Sequence, residues 1–197
     1  MKRQVLTPEQ YKRANKVMFV IMALCYIICC CIDSSNVQKG VSSDGMSLVR
    51  CAVYVGAIII SAIGATVFGR KKAGMVLMAL AFLASYIVLV FGNGAGTLAM
   101  AFPAVIAFMV YLNAPLVMIG SVAALIICGI KSYLLKSGGD ALGYGFANVV
   151  TMGMVVVVFA SNRAISLLIA FSKENQAELE DAASHREEVA AKVSGIV

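Results

Sequence analysis

The stretch MVVVVFASNRAISLLIAFSKENQAELEDAASHREEVAAKV, residues 154–193, decides how this chain is read. Its first part, MVVVVFASNRAISLLIAF (154–171), is apolar enough for a bilayer, whereas SKENQAELEDAASHREEVAAKV (172–193) is a water-facing pattern. Neither Gly nor Pro occurs from 154 to 194, so no helix breaker separates the two parts. The expected product is one rigid rod that leaves a membrane and enters water. Such a rod suits a receptor that passes a change in its membrane part to a soluble output.

The rest of the composition places that rod in a membrane protein. The hydrophobic fraction is 61% and only 13% of the residues are charged; the mean hydropathy is +0.91. This is too apolar for a water-soluble domain of 197 residues. The net charge of +6 gives no case for nucleic acid, because the basic residues cluster beside apolar runs, where topology selects for them.

Six spans are expected, at about 17–32, 51–68, 73–91, 97–112 and 116–130, with the sixth starting near Gly143 and passing into the rod after Ser161. Thr7-Pro8-Glu9-Gln10 is a helix start: Thr7 caps, Pro8 suits the first turn and Gln10 completes a capping box. Asp33-Ser34-Ser35-Asn36 is expected to end the first helix, and residues 131–142 read as a polar, Gly-containing connection. A secretory signal would also pair a basic start with an apolar run. Here the basic region is long and SSNVQ (34–38) lacks a small-x-small cleavage pattern, so residues 17–32 read as a retained span.

Orientation follows from Lys and Arg. Lys2, Arg3, Lys12, Arg13, Lys16, Arg70, Lys71, Lys72, Arg163 and Lys173 fall on one side if there are six crossings. Lys39, Arg50, Lys131 and Lys136 fall on the other, diluted by Asp33, Asp44 and Asp140. The expectation is a multi-pass protein of the bacterial cytoplasmic (inner) membrane with both termini cytoplasmic. The domains are then a cytoplasmic basic helix start (1–16), a six-helix transmembrane bundle (17–161) and the start of a cytoplasmic signalling coil (162–197), with a longer helical domain expected beyond Val197. Ala57, Ser61 and Ala65, and likewise Gly120, Ala124 and Cys128, place small residues four apart, as close helix packing in lipid requires.

Catalysis finds no foothold. His185, the one histidine, lies in the charged rod, and no HExxH, GxSxG, P-loop or dinucleotide fingerprint occurs. Among the six cysteines, Cys25, Cys29, Cys30, Cys31 and Cys128 lie in apolar runs and Cys51 at a span edge, with no facing CxxC pairs, so they read as packing residues. No enzyme activity, cofactor or metal is expected. The spans hold no acidic residue of the proton-relay kind.

With both termini inside, Tyr26, Tyr54, Ser85, Tyr86, Tyr144, Asn148 and Thr151 all fall in the outer half, and Asp33, Arg50 and Asn93 sit at the outer mouth. An outward-facing pocket for a small ligand is therefore expected at Tyr26, Asp33, Arg50, Tyr54, Tyr86, Asn93, Tyr144 and Asn148, with Asp33 or Arg50 reading its charge. Interfacial tyrosine placement accounts for the same pattern without a ligand. The outer loops are too short to fold as a sensory domain, so a stimulus must be read within the bilayer or at its surface.

In the rod, Ile165, Leu168, Leu179, Ala182, Val189, Val193 and Ile196 share heptad positions a and d, interrupted by Ser172, Asn175 and Arg186. Glu188 and Lys192 form an i,i+4 pair in the favourable order. A surface-lying amphipathic helix is the other reading. The acidic Glu174, Glu178, Glu180, Asp181, Glu187 and Glu188 disfavour it, since anionic lipid repels them. The coil implies a homodimer or higher oligomer.

On these residues the chain resembles the membrane portion of a bacterial methyl-accepting chemotaxis protein of the multi-span kind without a large periplasmic sensor domain. The basic entry TPEQYKRANKVMF (7–19), the multi-span block and the exit SNRAISLLIAFSKENQAELEDAASHREEVAAKVSGIV (161–197) carry the likeness, which covers the whole chain as a general pattern. The resemblance implies a transducer whose coupling protein and histidine kinase are reached only through residues beyond Val197. The methylation pattern of that family resembles Ala183–Lys192 here. It implies Glu187 or Glu188 as the modified position, with Lys192 where a small residue is expected. Two other readings remain open: the membrane part of a sensor histidine kinase, and a small membrane transport subunit such as the substrate-binding subunit of a vitamin importer. A plain membrane anchor is the blandest reading.

Overall fold

The structure, a computed structural model, describes residues 6–40 and 43–194. Lys2, Arg3 and Ile196 lie outside the described residues, as do the side chains of Asp44, Glu188, Lys192 and Val193. Six long or composite helical segments follow one another: α1 (Pro8–Gln38), α2 (Asp44–Thr66), α3 (Lys72–Gly92), a composite built on α4 (Ala101–Phe108), α5 (Ala114–Ser137) and α6 (Ala141–Ser194). Five of them, all but the composite, are long and apolar enough to cross a membrane. The chain is an all-α, multi-pass membrane bundle. The reason for helix throughout is solvation: hydrocarbon offers no hydrogen bonds, so each span must satisfy its own backbone.

Side-chain bonds at the two ends of the bundle show which way each segment runs. At one end, Asn15 near the start of α1 bonds the Gly69 carbonyl just past α2, and Tyr111 bonds Asn15. At the other, Asp33 late in α1 meets Arg50 early in α2, Arg50 reaches Gly92 at the end of α3, and Lys131 late in α5 reaches Asn93. Successive segments therefore alternate in direction. The composite travels the whole way, from Asn93 at the Asp33 end to Tyr111 at the Asn15 end.

How so short a composite spans that distance is a matter of winding. Six residues of 3-10 helix (Ala95–Met100) precede the eight of α4, and three more (Met109–Tyr111) follow. At about 2.0 Å per 3-10 residue and 1.5 Å per α residue, the composite is about 30 Å long, against about 25 Å if all were α. Pro103 helps set the boundary. In a continuous α-helix its ring would strike the carbonyl four residues back; in the first turn of α4 its missing N–H costs nothing. The chain then reverses within two residues. Leu112 takes a left-handed conformation (φ 47°), and Asn113 caps α5 by accepting from the Leu116 N–H at 3.2 Å.

Several boundaries differ from the sequence reading. Thr7 and Gln10 do form the capping box. Yet α1 does not stop at Asp33-Ser34-Ser35-Asn36 but continues to Gln38, because Asp33 is buried and paired rather than turned to water. Residues 131–142 are not an open connection either: α5 runs to Ser137, and only Gly138–Asp140 intervene before α6. Asp140 starts α6 by accepting from the Gly143 N–H at 2.8 Å.

Small residues set the interhelical distances. Ala57, Ser61 and Ala65 are all buried, as are Ala124 and Cys128. The tightest approach is α2 on α3. A Cβ on Gly74 would collide with the Gly64 carbonyl and come within 2.8 Å of both Asn15 Nδ2 and the Phe68 carbonyl. Gly74→Ala must therefore push α3 away and disturb the Asn15 knot, a cost of about 1–3 kcal/mol. Gly145→Ala, where nothing lies within 4 Å of the new methyl, should leave stability unchanged or raise it. Thermal unfolding of the two variants in one detergent should separate them in that order.

Candidate functional site

The Asp33 end holds the densest polar structure among the described residues. Asp33 is wholly buried and the Arg50 side chain nearly so. Arg50 Nε donates to Asp33 Oδ1 at 2.8 Å, and Arg50 Nη1 donates to the Gly92 carbonyl at 3.2 Å. Lys131 Nζ donates to the Asn93 carbonyl at 2.9 Å. Asn36 donates to Asn93 Oδ1 at 2.7 Å, while Asn93 Nδ2 donates back to the Leu89 carbonyl at 3.2 Å. Four helices are joined by these bonds: α1 through Asp33 and Asn36, α2 through Arg50, α3 at its end and α5 through Lys131.

The logic is that of a helix C-terminus in a poor solvent. The last carbonyls of α3 have no intrahelical donor, and they carry the negative end of its dipole. Gly92 and Asn93 supply two of those carbonyls, and each receives a cation. Arg50 also needs a counterion when buried, which Asp33 provides.

One layer deeper sit the tyrosines. Tyr54 lies beside Asp33, and Tyr26 lies beside Ser61 and Ser85. The Tyr26, Tyr54 and Ser61 hydroxyls and Asp33 Oδ2 are buried without completing a hydrogen bond among the described residues. Tyr86 donates to the Leu98 carbonyl at 3.0 Å. Tyr26, Tyr54, Ser85 and Tyr86 line a cavity of about 10 Å³, room for about one water molecule.

Of the eight residues expected to form an outer pocket, Asp33, Arg50, Tyr54 and Asn93 are thus brought together, with Tyr26 and Tyr86 beneath. Tyr144 and Asn148 face α5 instead: Lys136 stands over the Tyr144 ring at 5.7 Å, and Asn148 accepts from Ser132 at 2.8 Å. Asp33 and Arg50 spend their charges on each other. Glu187 is exposed on the rod, and the side chain of Glu188 lies outside the described residues. Among the described residues, no three His, Cys, Asp or Glu side chains gather as metal ligands would.

Sequence reasoning missed Lys131 and Asn36 as members of this network. Asn36 was legible: it lies three residues after Asp33, on the same helix face. Lys131 was not, because a lone Lys closing an apolar run looks like any span edge. Also missed was a larger apolar cavity, about 190 Å³, between α3, α4 and α5. Comparison with protein-family models, with characterised proteins and with solved structures returned no match.

Removing one member of the buried pair strands the other. Asp33→Leu or Arg50→Met alone should cost about 3–5 kcal/mol, whereas the two together should cost much less than either. A double-mutant cycle by denaturant unfolding in micelles checks this; additive single and double costs would mean that the pair contributes nothing to the clasp.

Proposed function

We propose that this chain is the transmembrane sensory module of a chemotaxis-type receptor, relaying a ligand or membrane stimulus through α6 to a cytoplasmic signalling coil. The observation that supports this reading most is the continuity of α6. It is a single helix of 54 residues, about 80 Å long. Its first half packs along α5. Among the described side chains its last buried one is Ile165, and from Lys173 to Glu187 every side chain is exposed. A helix gripped at one end and exposed at the other is a lever.

The proposal includes six crossings, with the composite over α4 as the fourth. Its length of about 30 Å matches the hydrocarbon thickness. With six crossings, the start of α1, the α2–α3 turn and the emerging α6 share one side. That side bears Lys12, Arg13, Lys16, Arg70, Lys71, Lys72, Arg163 and Lys173. The opposite end has fewer basic residues, and two of these, Arg50 and Lys131, are held inside the bundle. The basic side is then cytoplasmic, in a bacterial cytoplasmic membrane.

Leu168, Leu179, Ala182 and Val189 are exposed at seam positions of the free part, so the coil is proposed to pair with a second copy. The acidic flank of the same helix keeps it off an anionic membrane surface. Signalling would then be a small displacement of α6 at the clasp end, read out as a change between two packings of the paired coil. A stimulus acts only through unequal stabilisation of those two packings.

Spin labels attached through bio-orthogonal side chains at Phe159 and Leu179, both exposed, test the lever. In nanodiscs diluted with unlabelled chain, the distance should be narrow and centred near about 30 Å, as 20 helical steps require. Copies labelled at Leu179 alone should show a tail-to-tail distance that shifts when Asp33→Ala breaks the clasp. A broad distribution within one chain, or tails indifferent to the clasp, would remove the transducer reading.

A further inference from the structure

The cavity of about 190 Å³ between α3, α4 and α5 has a shape and surroundings that single out an occupant. Its walls are apolar: Val76, Ala79, Leu80 and Leu83 from α3, Phe108 from α4, and Ile119 and Gly120 from α5, among others. It opens sideways, since Val76, Leu80 and Ile119 are exposed on the flank of the bundle. It is larger than the roughly 150 Å³ apolar cavities that take up benzene. Along α3 the lining runs from Val76 to Tyr86. Ten helical steps make about 15 Å, the depth of one leaflet of a bilayer about 30 Å thick.

The end of this groove nearest the membrane surface is electropositive. α3 and α5 run in the same direction, so their N-termini lie at the same end of the bundle. Lys72 stands one turn before Val76 on the same face of α3, and both Lys71 and Lys72 are exposed. Among the described residues no side chain caps the first turn of α3; the Gly74 N–H donates to the Lys71 carbonyl at 3.1 Å, which leaves the Lys72 and Ala73 N–H groups and the helix dipole to face an anion. An acyl-chain groove one leaflet deep thus begins beside two lysines and an uncapped helix start.

We propose that this groove is a binding site for an anionic phospholipid of the leaflet on the Lys71–Lys72 side, with one acyl chain lying between α3 and α5 and the headgroup phosphate at Lys71 and Lys72. The site needs only that the bundle sits in a bilayer and is independent of the transducer reading. The small residues Ala79, Gly120 and Ala123 acquire a role here: larger side chains at those positions would fill the space the chain takes.

Native mass spectrometry of the full chain released from nanodiscs tests the site, using phosphatidylglycerol and phosphatidylcholine with identical acyl chains. The native chain should retain phosphatidylglycerol in preference to phosphatidylcholine. Lys71→Ala and Lys72→Ala should each lower the preference about fivefold, while Lys39→Ala and Lys136→Ala, at the opposite end, should not. Gly120→Leu has open space for its new side chain and should lower retention of both lipids, as should Ala79→Leu. Far-ultraviolet circular dichroism and unfolding temperature establish that each variant is folded, and two variants on different helices guard against one misfolding. Equal retention of the two lipids by the native chain, or unchanged phosphatidylglycerol binding in both filled variants, overturns the proposal. So does a change of oligomer mass in the filled variants with lipid retention unaltered, which would make a second copy the occupant.

Discussion

Arg50 meets three needs at once, and the Asp33 end of the bundle is organised by how it does so. It neutralises a carboxylate that α1 has carried inside, it satisfies a carbonyl that α3 leaves open, and it ties α2 to both. In a medium that offers no hydrogen bonds, such needs have to be met inside the bundle. The pair is therefore less a source of net stability than a device for register, since a buried ion pair gives back roughly what its desolvation costs. A slip of α2 by one turn along α1 would leave two uncompensated charges in hydrocarbon. The Asn15 knot does the same at the other end with neutral groups: Asn15 donates to Gly69 at 2.7 Å and accepts from Tyr111 at 2.8 Å.

Between these two fixed ends the fourth segment must cover the full distance with few residues. The 3-10 turns at both of its ends lengthen it without adding chain. They also leave it less regular than its neighbours, because 3-10 hydrogen bonds are poorer. The same shortness leaves α3 and α5 incompletely covered, and the apolar groove lies there, floored by α4 residues such as Ala104 and Val105. The strained turn at Leu112, the stretched helix and the groove are thus consequences of one economy of chain length.

The described half of α6 beyond Ile165 has a different character. Ile169 still packs against the core, but from Lys173 to Glu187 every side chain is exposed, so the helical state there rests on local propensity and on continuity with the packed half. Helix nucleation is the costly step, and the packed half has already supplied it. The sequence NQAELEDAASHREEVAAK adds residues of good helix propensity without a break.

The all-α membrane class, the positions of the apolar segments, the Thr7 capping box and the unbroken helix through residues 154–194 were legible in the sequence. Each depends on local composition, spacing or the absence of a helix breaker. The membership of Asp33, Arg50 and Asn93 in one polar cluster was legible as well, since all three sit at span ends on the same side. Their pairing was not: sequence reading left their charges free for a ligand, whereas packing turned them on each other. Nor could it find Lys131 on Asn93, Tyr111 on Asn15, the 3-10 winding around α4 or the groove between α3 and α5. These rest on contacts between residues far apart in the chain. Helices form from nearest neighbours along the backbone, but which buried cation meets which carbonyl depends on how six helical segments rotate and slide against one another, and only the folded bundle settles that.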